Sequence, residues 1–483
     1  MTDSRCMRLV VAILAVILLS AACTGSDNAS PELAVSAPAS DETQLDDQAR
    51  ELESPDQEGT EGDGAAAGGS DASSEQGDVD ENAPAAVVED APDEATSSVS
   101  DLDDNLDDNL EDEAQANLEE LPAAAPASGD SEVAAAGSEL DQLVTELMDF
   151  VERERGLAFV ERPDVQVLDT FDFNDAWQEL VLRAATTEAT EFANFTDIYQ
   201  AVGIIDDGRN LDEIWTRFGD AGVLGYYDTE TEGIVLRSGE LNAFTETVLV
   251  HELVHALEDQ VFGLDRAEFE NRDDEIDWTF SALIEGSARV IEGRYRATFS
   301  QAELSEESAA RNAVPRSVSL NEFTPSFLEL QFGRYDYGET FAEALWELGQ
   351  SELDDAYAQP PATSEEVVNP QAFLAGVSDE GALAFPPADG DVFEQGTWGQ
   401  AGIAALLTDV YPRDEALEIS QGWGGDRFVA WRDGEITCVR IHVGADSPEA
   451  LDRYATAFEE WAQLGDRQIF FPSADLVRIT SCA

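Results

Sequence analysis

The chain contains one histidine pair whose spacing suits metal chemistry. His251 and His255 stand four residues apart, and Glu252 directly follows the first of them. Residues four apart share one face of a helix, so both imidazoles can bind the same metal ion while Glu252 reaches a water on that ion. Zinc lowers the pKa of bound water to about 7 and polarises a carbonyl group, and a carboxylate base then completes a hydrolytic site. The pattern predicts a zinc site with Glu252 as the catalytic base.

A plainer interpretation is that two incidental core histidines lie beside a glutamate. The chain has only 3 histidines among 483 residues, so a chance match to this pattern is on the order of one in a thousand. Apolar residues fill most of 248–257 around the pair, which indicates a buried helix and not a polar loop. These features favour metal binding.

A catalytic zinc ion needs a third protein ligand, and no third histidine follows nearby. Glu285 stands in an apolar helical stretch over 277–288, where an unpaired carboxylate would be costly and coordination to zinc would neutralise it. Two alternatives stay open at this point. Glu285 could pair with Arg289 one turn on, and Glu292 could be the ligand in its place.

Together the two segments resemble the gluzincin group of zinc metallopeptidases. Ala-Leu-Glu-Asp-Gln follows the histidine pair, and the acid lies in Ala-Leu-Ile-Glu-Gly-Ser-Ala. The chain also resembles exported bacterial proteins with this two-helix signature, over about residues 138–483. The resemblance implies an α+β, zincin-like fold. It also implies that His251, His255 and Glu285 bind zinc and that Glu252 is the general base.

The supporting residues depart from the gluzincin pattern. In several gluzincins a carboxylate one turn after the ligand glutamate orients a histidine, but Arg289 holds that place here. Asp259, one turn beyond His255, is our candidate for this role, and its alternative role is that of a solvated helix end.

Gluzincins usually place a tyrosine or histidine where the oxyanion forms. The candidates are His442, Tyr226, Tyr227 and Tyr295, although core packing would explain each of them equally well. Arg427 lies in a glycine-rich turn and is a candidate for binding a substrate carboxylate, unless the glycines serve only the turn.

The elements around these residues form an α+β pattern without a second folded domain of its own boundary. Apolar periodicity and turn signals predict the elements. The predicted helices are 138–151, 175–185, 242–260, 278–294 and 448–464, and the predicted strands are 165–168, 225–228, 233–237, 428–431, 436–443 and 476–480.

Residues 1–22 are predicted to be an export signal. Arg5 and Arg8 precede an apolar run over 9–19, which is shorter than the about 20 residues that span a bilayer. Residues 19–23 resemble a bacterial lipobox, with Ser20 where leucine is usual. The resemblance implies a lipoprotein acylated at Cys23 and anchored to the outer face of the cell membrane. A freely secreted protein and an uncleaved anchor are the alternatives.

Residues 23–137 are predicted to be a disordered acidic linker, because the segment holds almost no aromatic residue and cannot bury enough apolar surface. The metallopeptidase domain is then 138–483. The chain carries a formal net charge of −79, and all 25 basic residues are arginine. Such a charge argues against nucleic acid as a partner and favours basic or neutral substrates.

Four cysteines occur in the chain. Export would remove Cys6 and acylation would use Cys23, which leaves Cys438 and Cys482 as a pair in an oxidising compartment. A disulfide between them is predicted, and two separate thiols are the alternative.

The sequence thus predicts an exported zinc metallopeptidase that acts on a peptide or protein substrate. A catalytically inactive zincin-fold lipoprotein that binds a partner is the rival from another class. Hydrolysis of a non-peptide amide, for example in cell-wall material, is a third hypothesis.

Overall fold

The computed structural model describes residues 13–17, 129–237, 241–266, 269, 275–314, 316–376 and 383–483. The predictions for Cys23 and for the linker up to residue 128 lie outside the described residues. The first helix begins at Gly129, ahead of the predicted start at residue 138. Residues 132–136, Glu-Val-Ala-Ala-Ala, have high helix propensity. The last residues of the predicted linker are therefore helical.

Helices and strands both build the fold, which confirms the predicted α+β class. The helices are α1 Gly129–Arg155, α2 Thr170–Thr187, α3 Ala189–Val202, α4 Leu211–Gly222, α5 Ala243–Phe262, α6 Ile276–Arg296, α7 Gln301–Ala313, α8 Pro325–Leu348, α9 Gln350–Ala358, α10 Ser364–Val368, α11 Pro370–Ala375, α12 Gly399–Leu407, α13 Arg413–Ser420 and α14 Pro448–Trp461. The strands are β1 Ile13–Ile17, β2 Asp164–Leu168, β3 Val223–Asp228, β4 Gly233–Arg237, β5 Asp391–Gly396, β6 Trp423–Asp433, β7 Ile436–Ala445, β8 Arg467–Ser473 and β9 Leu476–Cys482. Within the described residues, none of these helices combines the length and the apolar character that a membrane span needs.

A four-stranded sheet in the order β1-β3-β4-β2 packs beside helix α5. Strands β3 and β4 form the predicted antiparallel hairpin, and β2 joins β4 in parallel. Strand β1 lies within the predicted export signal and pairs antiparallel with β3. Strand β3 is therefore the one that separates the signal segment from the rest of the sheet.

Helix α5 carries the histidine pair and is almost completely buried. Asn242 caps its first turn by accepting hydrogen bonds from the backbone N–H groups of Phe244 and Thr245. A helix that is apolar on nearly all sides must lie inside the fold, and Leu249 and Leu253 accordingly pack in one core with strand β4. This packing thus fixes the position of His251 and His255 relative to strand β4.

A buried ion pair joins helix α5 to its neighbours. Arg155 Nε of α1 donates a hydrogen bond to Glu258 Oε1 at 2.7 Å, and neither side chain is exposed. Ser287 of α6 and Tyr357 of α9 donate to the same carboxylate. A buried charge is tolerated when such partners satisfy it. Because Glu258 follows His255 by three residues, these bonds hold α6 against the histidine helix.

The C-terminal part forms an antiparallel five-stranded sheet in the order β5-β6-β7-β9-β8. Strand β6 begins at Trp423, so the predicted glycine-rich turn around Arg427 is wrong: those residues belong to a strand, and an irregularity between Trp423 and Asp426 accommodates the glycines. Cys438 and Cys482 face each other in the register of β7 and β9 and form the predicted disulfide.

We expect the Cys438→Ser, Cys482→Ser double variant to unfold more easily. The disulfide closes a loop with a sequence separation of 44, and loss of such a closure lowers the free energy of unfolding by about 4 kcal/mol. Urea unfolding of the variant and of the oxidised protein measures the difference. The oxidised protein treated with a reductant should match the variant, and equal stability of variant and oxidised protein would contradict the expectation.

Candidate metal centre

The histidine pair and the predicted base lie on the buried side of helix α5. His251, Glu252 and His255 each have no exposed surface. The two imidazole rings lie 4.7 Å apart at an interplanar angle of 82°. Helical spacing thus brings both rings to one point, as the sequence predicts.

Helix α6 supplies the third residue of the cluster. Glu285 Oε2 lies 3.2 Å from His251 Nε2 and 3.4 Å from His255 Nε2. One donor atom from each of the three residues lies within 4.8 Å of the other two. A tetrahedral zinc ion with ligand bonds of about 2.0–2.1 Å holds its donor atoms about 3.3 Å apart. The two distances to Glu285 match this spacing, so the three residues could hold a zinc ion.

The charges of the cluster favour a cation at its centre. Burial lowers the pKa of His251, but hydrogen bonds with Glu285 and Glu292 outweigh it and raise that pKa to about 9. Burial lowers the pKa of His255. Burial raises the pKa of Glu285, but hydrogen bonds from both histidines lower it to about 2. The carboxylates thus stabilise positive charge where the three donor atoms meet.

Glu292 orients His251 and is not brought to the ligand position. Its Oε2 lies 3.2 Å from His251 Nδ1, on the side of the ring opposite Glu285. Arg289 pairs with Glu292 and with Glu339, each at 3.2 Å. The alternative pairing of Arg289 with Glu285 is therefore not what the structure shows. A carboxylate on the second nitrogen fixes the tautomer and orientation of a ligand histidine.

Asp259 has a different role from the one predicted for it. Its carboxylate accepts hydrogen bonds from Tyr227 Oη and from the backbone N–H of Leu264, each at 2.8 Å. It therefore closes the end of helix α5 and ties it to strand β3. His255 Nδ1 has no hydrogen-bond partner among the described residues, so the prediction that Asp259 orients His255 is wrong.

The catalytic candidate Glu252 lies directly under strand β3. A Cβ atom added at Gly225 would lie 3.1 Å from Glu252 Oε1 and 2.8 Å from Val248 Cγ1. Only glycine fits so close to the carboxylate, because any side chain there would press on Glu252 and on the helix. Gly225 thus keeps the base next to strand β3.

The structure places Tyr335 against the cluster, a residue that the sequence analysis missed. Its ring stacks on His251 with centroids 6.3 Å apart, and its hydroxyl hydrogen-bonds to Glu285. Burial and the charge of Glu285 raise its pKa well above the usual value. Tyr335 is on helix α8, far from both motif segments in sequence, so no local pattern identifies it.

Two glycines let helix α8 approach so closely. An added Cβ at Gly286 would overlap the Gly338 carbonyl, and one at Gly338 would overlap the Ala282 carbonyl oxygen. The backbones of α6 and α8 are therefore in direct contact beside Glu285. This crossing sets the position of Tyr335 relative to the metal ligands.

The other predicted residues lie elsewhere. Tyr295 donates to Glu246, Tyr227 to Asp259, and Tyr226 packs against Phe173 and Trp177. His442 accepts a hydrogen bond from Arg478 Nε at 3.0 Å in the C-terminal sheet, and its register partner Arg427 donates to Thr397. The structure brings none of these side chains into the described cluster of His251, His255 and Glu285.

A comparison with protein-family models matches residues 389–480 to a domain of unknown function, DUF8575. This match covers the C-terminal sheet and leaves helices α5 and α6 outside. No curated protein and no solved structure matches the chain. The candidate metal centre is therefore argued from its own residues and geometry alone.

We expect Gly286→Ala to lower both stability and zinc affinity. The methyl group would meet the backbone of helix α8, so α6 must move and carry Glu285 with it. Overpacking of this kind costs about 1–3 kcal/mol. Gly293→Ala on the same helix is the matched control, because nothing lies within 4 Å of its added Cβ. It should stabilise the protein by about 0.5–1 kcal/mol. Urea unfolding and zinc titration measure the stability and the zinc affinity of both variants. Equal values for the two variants would contradict the close backbone contact between α6 and α8.

We expect Glu292→Gln to bind zinc about 10–100-fold more weakly than the unchanged protein, because His251 loses the carboxylate that orients it. Asp259→Asn is the control, since Asp259 contacts Tyr227 and Leu264. Its zinc affinity should stay unchanged. Competition with a coloured chelator measures both affinities, and a weaker site in Asp259→Asn alone would reverse the two assignments.

Proposed function

We propose that the chain is an exported zinc metallopeptidase of the gluzincin type with a zincin-like domain over residues 138–483. The observation that carries the proposal is the spacing of 3.2 and 3.4 Å between Glu285 Oε2 and the two histidine nitrogens, with Glu252 on the same buried helix. The donor set of two imidazoles and one carboxylate is typical of catalytic zinc, because it leaves one position open.

His251, His255 and Glu285 would hold the ion, which when bound supplies acidification of water and polarisation of the scissile carbonyl. Glu252 takes the proton of the attacking water and delivers it to the leaving amine. Glu292 keeps the His251 ring in place. Tyr335 stays protonated, because burial raises its pKa. Once Glu285 binds the ion and no longer accepts from it, this hydroxyl is our candidate donor to the negative charge that develops on the carbonyl oxygen.

The position of strand β3 supports an extended peptide as the substrate. Glu252 lies beneath Gly225, and β3 already pairs antiparallel with the apolar segment Ile13–Ile17. Removal of residues 1–22, as the export signal predicts, would leave the outer edge of β3 free next to the base. An extended peptide can then add to that edge through main-chain hydrogen bonds. Lipid attachment at Cys23 would hold the enzyme outside the cytoplasmic membrane.

The test uses the predicted mature chain, residues 23–483, and two substitutions. We expect about one zinc ion per chain, because the described residues contain one set of three donors, and Glu285→Ala should lose it. Glu252→Gln should keep the zinc and lose at least about 100-fold in hydrolysis of a peptide library, because general-base catalysis contributes that much or more. Elemental mass spectrometry after dialysis and product analysis measure the two quantities.

Three outcomes would contradict the proposal. Absence of zinc even after refolding with it means a degenerate centre. One zinc per chain without hydrolysis of any peptide favours the inactive binding module. Release of amines from cell-wall fragments but not from peptides favours the non-peptide amide.

A further inference from the structure

Two buried arginines have no carboxylate partner in the described part of the chain. Arg237 and Arg334 are 5% and 6% exposed, whereas the third buried arginine, Arg155, pairs with Glu258 and Asp354. The chain has 104 acidic residues against 25 basic ones, so an acid partner is easy to supply. A buried guanidinium left without one is expensive. Its retention therefore calls for an anion from outside the chain or for another compensating contact.

Within the described residues, Arg334 donates its hydrogen bonds to neutral groups. Its Nη1 donates to Ser281 Oγ at 3.3 Å, and its Nη2 donates to the Gln331 amide oxygen. Its buried Nε has no hydrogen-bond partner among the same residues. A guanidinium presents five donors in a planar fork that suits a carboxylate. Part of that fork is still available at Arg334.

Arg334 belongs to the surroundings of the metal cluster. Its partner Ser281 lies one helical turn before Glu285 on α6, and its neighbour in sequence is Tyr335. The ring of Tyr335 stacks on His251, with centroids 6.3 Å apart. Both neighbours of Arg334 therefore place it in the surroundings of the proposed ligands.

We propose that Arg334 binds a carboxylate of the substrate, so that the centre cleaves peptides beside a free carboxylate. This inference rests on the proposed peptidase function. The carboxylate comes either from the C-terminus of a short peptide or from an Asp or Glu side chain, and both present the same chemistry to the fork. In a chain of net charge −79, a local cation is needed to hold an acidic group that the rest of the protein repels. Arg334 takes the role that the sequence analysis gave to Arg427.

The experiment compares matched peptides with the zinc-loaded chain of residues 23–483. One peptide has a free C-terminal carboxylate, a second is its C-terminal amide, and a third is the amide with an internal Glu. We expect the unchanged protein to prefer one carboxylate-bearing peptide over the plain amide. In Arg334→Gln the kcat/KM for that peptide should fall about 100-fold relative to the kcat/KM for the plain amide, as for removal of one partner of a buried charge pair. Whichever carboxylate is preferred identifies the source.

Arg237→Gln is the matched control, because Arg237 is equally buried and also lacks a carboxylate partner, but packs against Phe173 and Asn174. The Arg237→Gln variant should keep the preference for the carboxylate-bearing peptide. Arg334→Lys retains the charge but not the planar fork, and should keep only part of that preference. A uniform fall for all three peptides at unchanged zinc content, or no preference in the unchanged protein, would overturn the inference.

A binding measurement separates this inference from the proposed function. Calorimetry with zinc-loaded Glu252→Gln tests whether the free-acid peptide or the internal-Glu peptide binds more tightly than the plain amide. The double variant with Arg334→Gln then tests whether that difference in affinity disappears. If no peptide is cleaved but this Arg334-dependent preference persists, the carboxylate site stands and the peptidase proposal fails. If peptides are cleaved and the preference is absent, the peptidase proposal stands and the carboxylate site fails.

Discussion

Charge neutrality inside a buried core is the constraint on which the structure depends. Glu252, Glu285 and Glu292 all lie beneath the surface around two buried imidazoles, with Arg289 as the cation beside them. Buried carboxylates are tolerated only when positive charge compensates them. Hydrogen bonds with Glu285 and Glu292 accordingly raise the pKa of His251 to about 9. In the proposed zinc-bound state, the divalent ion and Arg289 together balance the three carboxylates with both imidazoles neutral.

The remaining contacts give that charge balance a fixed geometry. Glu258 joins α5 to α1, α6 and α9 through Arg155, Ser287 and Tyr357, so the two helices that carry the ligands share a common anchor. The crossing of α6 and α8 then places Tyr335 against Glu285. Because a buried ion pair is strongly destabilising once one partner is lost, this anchor couples the stability of the fold to the position of the site.

The sequence predicts those parts of the site that depend on local spacing. The helical pair His251 and His255 is identified from helix periodicity and from the rarity of histidine, and the disulfide from the count of cysteines. The acid Glu285 is identified from the cost of an unpaired carboxylate in an apolar stretch and from the resemblance to gluzincins. Glu292 and Tyr335 have roles that depend on how α6 and α8 turn against α5, and one sequence carries no local signal for that. Asp259 lies on the predicted helix, but that helix ends three residues later, at Phe262. Its carboxylate accepts a hydrogen bond from the backbone N–H of Leu264.

The backbone contact between Gly286 and Gly338 has a further consequence for how such a site could change over time. No side chain lies between the two helices at that point, so no rotamer change there can widen or narrow the distance between their backbones. The main chain alone sets that distance, and main-chain geometry varies little when surface residues are exchanged. If Arg334 has the proposed role, substitutions around it on α8 can alter which carboxylates are bound while the backbone contact beside Glu285 stays the same.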